Sequence, residues 1–163
     1  MSRAKVTLRT AEPGDRDRVL EWSNEPGTRA ASFRNEPIGE AEHAAWFAAS
    51  LAGARQLYIA ESHATPVGLA RLDPLDAETA EVGLVLAAEW RGRGLALPVL
   101  AALSDTASRS GLKRLIARVR NDNPRSLRTF ERAGYRRDGD ETVSATAAAR
   151  YVLELGGGEA TQA

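Results

Sequence analysis

Residues 81–103 read EVGLVLAAEWRGRGLALPVLAAL, and the architecture can be built outward from them. The apolar run EVGLVL has strand character. It passes into a loop carrying Gly92 and Gly94 and then into a helix that stripes Ala96, Val99, Leu100, Leu103 and Ala107 along one face. Glycines let a backbone approach a ligand closely. The first amides of a helix have no internal partner and sit at the positive end of its dipole, so a strand, a glycine loop and a helix together make an anion site. Arg91 and Arg93 add positive charge beside it. The spacing is neither GxxxxGK[ST] nor GxGxxG, which points to a phosphate ligand other than a nucleoside triphosphate or a dinucleotide. Pro98 falls in the first helical turn, where a missing amide is tolerated.

Upstream, LYIAES, PVGLARLD and AEVGLVL form three strand-like runs separated by SHAT and PLDAET, a spacing that suits an antiparallel meander. Downstream, Gly111 stops the helix and RLIARV resumes strand character, which implies an α/β crossover. Asn123 and Pro124 open a helix through Ala133 with Leu127 and Phe130 inward, ended by Gly134. Tyr135 to Asp138 and Tyr151 to Leu155 are weaker strands, and SATAAA between them is a loop or a short helix. In the front third, Val6 to Arg9 alternates as a strand, and AEPGDRDRVLEW reads as a helix with Asp15 near its cap. Pro26 to Pro37 breaks periodicity. A further helix starts near Gly39 and Glu40, carries Ala44, Phe47, Ala48 and Leu51 on one side, and ends at Gly53.

The chain has 163 residues, 43% hydrophobic and 27% charged, enough for one sizeable core. Lys and Arg total 22 against 22 Asp and Glu, so no global field concentrates nucleic acid or anionic membrane. The lack of cysteine excludes disulfides, thiolate metal sites and cysteine nucleophiles, and two histidines leave little for a metal cluster. No apolar run approaches the roughly 18 residues of a spanning helix, and MSRAKVTLRT has no secretory segment. The expectation is a soluble cytoplasmic protein with no nucleic-acid, membrane or metal partner.

Arg91, Gly94 and Ala96 spell RxxGxA, which resembles the acyl-CoA signature of the GNAT superfamily of N-acetyltransferases. NPRSLRTFERAGY, residues 123–135, resembles the second signature of that superfamily at the expected distance downstream. The order of elements is similar over residues 3–155. The resemblance implies an α/β (α+β) GNAT-like single domain over 3–155, with a mixed, mostly antiparallel sheet of about seven strands and about four flanking helices; the tail GGGEATQA, 156–163, has no apolar anchor and is expected to be disordered. It implies acetyl-CoA as cosubstrate, held by the loop residues Arg91, Gly92, Arg93, Gly94, Leu95 and Ala96. It places the exposed main chain of Leu84, Val85 and Leu86 against the pantetheine arm and acetyl carbonyl. Asn123 matches an asparagine near the pantetheine and is equally suited to cap its helix. Phe130 stands where many members carry a tyrosine that protonates the departing thiolate, and a phenyl ring cannot donate that proton.

Acetyl transfer needs a neutral amine, aligned attack and a polarised carbonyl. Glu81 alternates to the strand face of Gly83 and Val85 and is the candidate general base; pairing with an arginine on a sheet face is its structural alternative. Ser126, one turn before Phe130, is a candidate polariser or proton relay toward sulfur, with water as the alternative. At the front, Trp22, Asn24, Arg29, Ser32, His43, Trp46 and Phe47 are similar to the pattern of N-acetyltransferases acting on nucleotide-linked amino-deoxysugars in pseudaminic-acid-type pathways. That similarity implies a small-molecule amine, a nucleotide-linked amino sugar, as acceptor. Blander roles are open for each residue: core for Trp22 and Trp46, a helix end for Asn24, a pair with Glu25 for Arg29, packing for His43. A protein amino terminus, a polyamine and an antibiotic amine are alternative acceptors. A noncatalytic acyl-CoA sensor is the alternative from another class, kept open by Phe130, and a homodimer is a family-level alternative.

Overall fold

In a computed structural model that describes residues 5–156, seven strands form one sheet in the order β1-β2-β3-β4-β5-β7-β6. The strands are β1 Val6–Thr10, β2 Gln56–Ser62, β3 Thr65–Pro74, β4 Thr79–Leu86, β5 Arg114–Arg120, β6 Arg136–Val143 and β7 Thr146–Glu154. All neighbours are antiparallel except β4 and β5. Two tight turns close the meander and the terminal hairpin. His63 and Ala64 in the first, and Ser144 and Ala145 in the second, take positive φ, the twist two-residue hairpins require. SATAAA is therefore the last turn and the start of β7, neither a free loop nor a helix, and both terminal strands run longer than their sequence suggested.

Helices α1 Arg16–Ser23, α2 Pro26–Ala31, α3 Glu40–Ala49, α4 Ala96–Arg109 and α5 Pro124–Arg132 surround the sheet. The fifth helix, α2, lies in the segment expected to be irregular. Pro26 supplies its first helical residue and the Glu25 carboxylate accepts from the Thr28 amide, so capping rather than hydrophobic periodicity defines it. The apolar stripe expected on α3 is also corrected. Ala48 and Leu51 face outward, while His43, Phe47 and then Ser50 beyond the helix are buried. Asp15 does not cap α1 with its side chain. It is buried, closes a capping box with Glu12, and binds Arg9 and Arg18.

Two apolar clusters occupy the two faces of the sheet. On one, Val99, Leu100, Leu103 and Ala107 of α4 pack with Leu72, Val82, Leu115, Ala117, Phe130 and Tyr151. On the other, Val19, Phe47, Ile59 and Leu69 pack with Trp22, Trp46 and Val85. Within the tail expected over 156–163, only Gly156 is described; 157–163, like residues 3 and 4 of the expected domain, lie outside the described residues.

Candidate active site

The site begins where β4 and β5 part. They pair only at Thr79, Ala80 and Glu81 with Arg114, Leu115 and Ile116. Beyond that point β4 follows β3 to Leu86, and β5 follows β7 to Arg120. The Thr79 carbonyl accepts from Leu75 and the Ala87 amide donates to Val67, so both odd-numbered ends of β4 face β3. Strand alternation then turns the main-chain groups of Leu84 and Leu86 toward the gap. Val85 differs from its expected role: its main chain faces β3, with its carbonyl against Gly68, and its side chain joins the α1/α3 cluster.

A cleft of about 940 Å³ passes through this gap and is lined from both sides of the sheet. At one end stands the glycine loop. Gly92 and Gly94 take φ of 75° and 76°, a region that costs other residues energy. Among the described residues, the amides of Gly94, Leu95, Ala96 and Leu97 donate to no main-chain carbonyl, and the first α4 bond runs from Val99 to Leu95. Pro98 thus occupies a position whose amide would have had no helical partner. These unspent donors at a helix N-terminus fit a pyrophosphate, and the unpaired main chain of Leu84 and Leu86 fits an amide-bearing arm. Arg93 stacks over Trp90, its Cζ 4.7 Å from the ring centroid.

Arg91 is shared. Its Nη2 donates to Glu25 Oε1 at 2.5 Å and to Thr28 Oγ1 at 2.8 Å, which bolts the loop to the start of α2. This guanidinium is the main cause that holds the Glu25 carboxyl below its ordinary range. Asn123 accepts from the Ser126 amide at 3.3 Å and so caps α5 while lining the cleft together with Ser126 and Phe130. Phe130 is 8% exposed and meets Tyr135 edge-on at 5.0 Å between centroids.

Glu81 lies on the opposite, α1/α3 side of the sheet. Its Oε1 accepts from Arg118 Nη1 at 2.7 Å, and Arg118 Nε donates to Glu141 at 2.7 Å; Glu141 is the largest cause raising the Arg118 pKa. The arginine pairing foreseen as the alternative for Glu81 is therefore present, with Oε2 making no hydrogen bond among the described residues.

The front residues divide. Arg29, Ser32, His43 and Trp46 line the cleft, whereas Trp22 packs in the α1/α3 core and Asn24 lies off the wall. Arg29 does not pair with Glu25. It donates to the carbonyls of Ser23, Arg34 and Glu36 and to Ser32 Oγ, stapling the segment around α2; burial lowers its pKa. Asn24 straps the same segment, donating to the Ile38 carbonyl at 2.9 Å and accepting from the Ile38 amide at 2.7 Å. His43 is buried against Trp46 and Phe47 with neither nitrogen partnered among the described residues, and burial favours its neutral form. Arg55 Cζ lies 5.1 Å over the Trp46 ring.

Sequence reasoning missed Arg71, Arg118 and Arg120 in the cleft wall. Strand alternation in RLIARV could have placed the Arg118 side chain on the face of Glu81. Nothing local could have matched Arg71 to Gly83, because that register depends on the length of the β3–β4 turn.

The family model for the acetyltransferase (GNAT) domain matches residues 5–136. No curated protein matches the sequence. Among solved structures, the chain resembles spermidine N-acetyltransferase from Vibrio cholerae, bound to CoA and spermine, with 20% identity, a TM-score of 0.83, and 92% of this chain and 95% of that one covered. It also resembles aminoglycoside acetyltransferase AAC(6')-Ib bound to ribostamycin and coenzyme A, with 22% identity, a TM-score of 0.84, and coverage of 97% and 98%. An N-acetyltransferase from Staphylococcus aureus Mu50 matches at 21% identity and a TM-score of 0.79, over 93% of this chain and 99% of that one. At these identities the similarity is one of fold.

Proposed function

This chain belongs to the GNAT acetyltransferase family, and from that premise we propose that residues 3–155 form an acetyl-CoA-dependent N-acetyltransferase whose acceptor is a primary amine of a small molecule, specifically a nucleotide-linked amino sugar. The observation that carries the reading is the unspent amide row of Gly94 to Leu97 opening onto a cleft in which β4 shows its unpaired main chain. The structural relatives crystallised with CoA support the same cosubstrate. The similarity of the front segment to enzymes of nucleotide-linked amino sugars supports the finer acceptor.

When bound, acetyl-CoA supplies an acetyl group activated as a thioester. Gly92, Arg93 and the amides through Ala96 hold its pyrophosphate, and Leu84 and Leu86 hold the arm by main-chain hydrogen bonds. Arg91 positions the loop through Glu25 and Thr28. Glu81 takes the amine proton at Oε2, directly or through one water, while Arg118 fixes the carboxylate through Oε1. Ser126 presents a hydroxyl from α5 toward the sulfur. Phe130 and Leu84 keep water from the middle of the cleft.

The test incubates purified protein with acetyl-CoA and a panel of nucleotide amino sugars, aminoglycosides, polyamines and peptides, following free thiol and acetylated product by mass spectrometry. Transfer to a nucleotide amino sugar is the expected result. Tight CoA binding with no product from any class would replace the enzyme by a sensor, and CoA binding that survives Gly94→Trp would remove the loop from the site.

A further inference from the structure

The acceptor side of β4 presents Glu81, Gly83 and Val85, and Gly83 stands opposite Arg71 of β3. A Cβ on Gly83 would lie 2.2 Å from Arg71 Nη1 and 2.4 Å from Cζ. The guanidinium therefore fills the volume of the absent side chain and lies against the β4 backbone, one residue from Leu84. Its side chain is 34% exposed and forms part of the cleft wall.

Among the described residues the Arg71 side chain makes one hydrogen bond, from Nη1 to Asp73 Oδ2 at 3.2 Å, and Asp73 Oδ1 is already taken by Arg55 Nε at 2.7 Å. A guanidinium carries five N–H donors in a rigid fork, so most of this one is unspent. Of the other cleft arginines, Arg34 is committed to Glu42, Arg91 to Glu25, Arg118 to Glu81 and Glu141, Arg120 to Asp122 and the Ser32 carbonyl, and Arg29 to main-chain carbonyls. Arg125, in the first turn of α5, also has no side-chain hydrogen bond among the described residues, but it stands on α5 and not on the β3–β4 face that carries Arg71 and Glu81.

We propose that Arg71, seated on Gly83, binds an anionic group of the acceptor, a carboxylate or a phosphate, and that the enzyme selects amines carrying one. This rests on the amine-acetylation reading above. A planar fork matches either anion with two parallel hydrogen bonds and repels an ammonium brought to the same place. The same charge favours the neutral form of an amine held nearby, the form that attacks.

The experiment uses matched pairs: an amino sugar 1-phosphate against the free amino sugar, and an α-amino acid against its amide, with spermidine as a cationic probe. Acceptor Kd is measured by calorimetry on the CoA-bound protein, and kcat and KM are measured with acetyl-CoA. In at least one pair the anionic member binds about ten-fold tighter or more, and which pair does so separates phosphate from carboxylate. Arg71→Gln raises the Kd and KM of the anionic member at least about ten-fold more than those of its uncharged mate, and Arg71→Lys restores part of the difference. Gly83→Ala keeps the arginine but evicts its guanidinium and gives the same loss, so the result does not depend on one variant. No preference within either pair, tighter binding of spermidine, or a uniform loss across acceptors in Arg71→Gln would each overturn the proposal. Because Kd needs no turnover, selective binding without product would count against the transferase and leave the anion seat standing.

Discussion

Gly68→Ala tests whether the position of β4 sets the reaction rate. Gly68 stands opposite Leu86, at the end of the strand that shows its main chain to the cleft. A Cβ there would be 2.4 Å from the Val85 carbonyl oxygen, 3.0 Å from Leu86 Cδ2 and 3.2 Å from Leu86 Cα. Normal carbon–oxygen contact is roughly 3.4 Å, and the obstruction is backbone, so no rotamer relieves it and β4 must retreat by about 1 Å. Overpacking of this kind costs about 1–3 kcal/mol, and in a domain of this size each kcal/mol lowers Tm by about 2–4 °C. The fold survives. A misplacement of about 1 Å at reacting groups lowers turnover about 100-fold, while the glycine loop proposed to hold the pyrophosphate keeps most of the affinity for CoA. Calorimetric Tm, CoA Kd and steady-state kcat on the productive acceptor separate these effects. A variant that loses stability yet keeps kcat within about two-fold of wild type would refute the reasoning.

Gly94→Val forces φ of 76° on a β-branched residue; titration calorimetry shows CoA binding about ten-fold weaker or worse, with stability lowered by about 1–2 kcal/mol. Asp15, held to about 2 chiefly by Arg9, has a depressed pKa, so its stabilisation is complete above about pH 4 and is lost as pH falls toward 2. It amounts to about 2 kcal/mol. Asp15→Asn flattens that acid limb in urea unfolding from pH 7 to 2, and parallel curves for the two proteins would exclude the linkage. Arg29→Ala releases the staple around α2; acceptor KM rises at least about five-fold while CoA Kd changes little, since each bond from a charged donor contributes about 1.5–3 kcal/mol. Ser126→Ala lowers kcat about ten-fold if its hydroxyl serves the sulfur. A change below a few-fold assigns that proton to water.

Much of the layout was legible because it is written in local pattern. Alternation marked the meander, a stripe from Val99 to Ala107 marked α4, and the switch to RLIARV marked the one parallel crossover. The glycine loop was equally local, since two glycines before a helix carry their own conformational reason. The short α2 escaped because its definition is a cap, Glu25 to Thr28, in a segment without apolar period. On α3 the stripe held for Phe47 and half for Ala44 but not for Ala48 and Leu51, because alanine and histidine were open to either side and only tertiary packing chose His43 for burial.

The order of elements, the glycine loop before α4 and the placement of Glu81 on one face of its strand were all readable from the chain alone. Each follows from a period of two or 3.6 residues or from the φ freedom of glycine. Tertiary structure alone decided that β4 and β5 separate after Glu81, that Arg91 is tied to Glu25, that Arg29 and Asn24 staple the front segment, and that Arg71 lies on Gly83. Those facts depend on which strands become neighbours, in what register, and on where a long guanidinium finds its partner. Such pairings join residues far apart in the chain and leave no local trace in it.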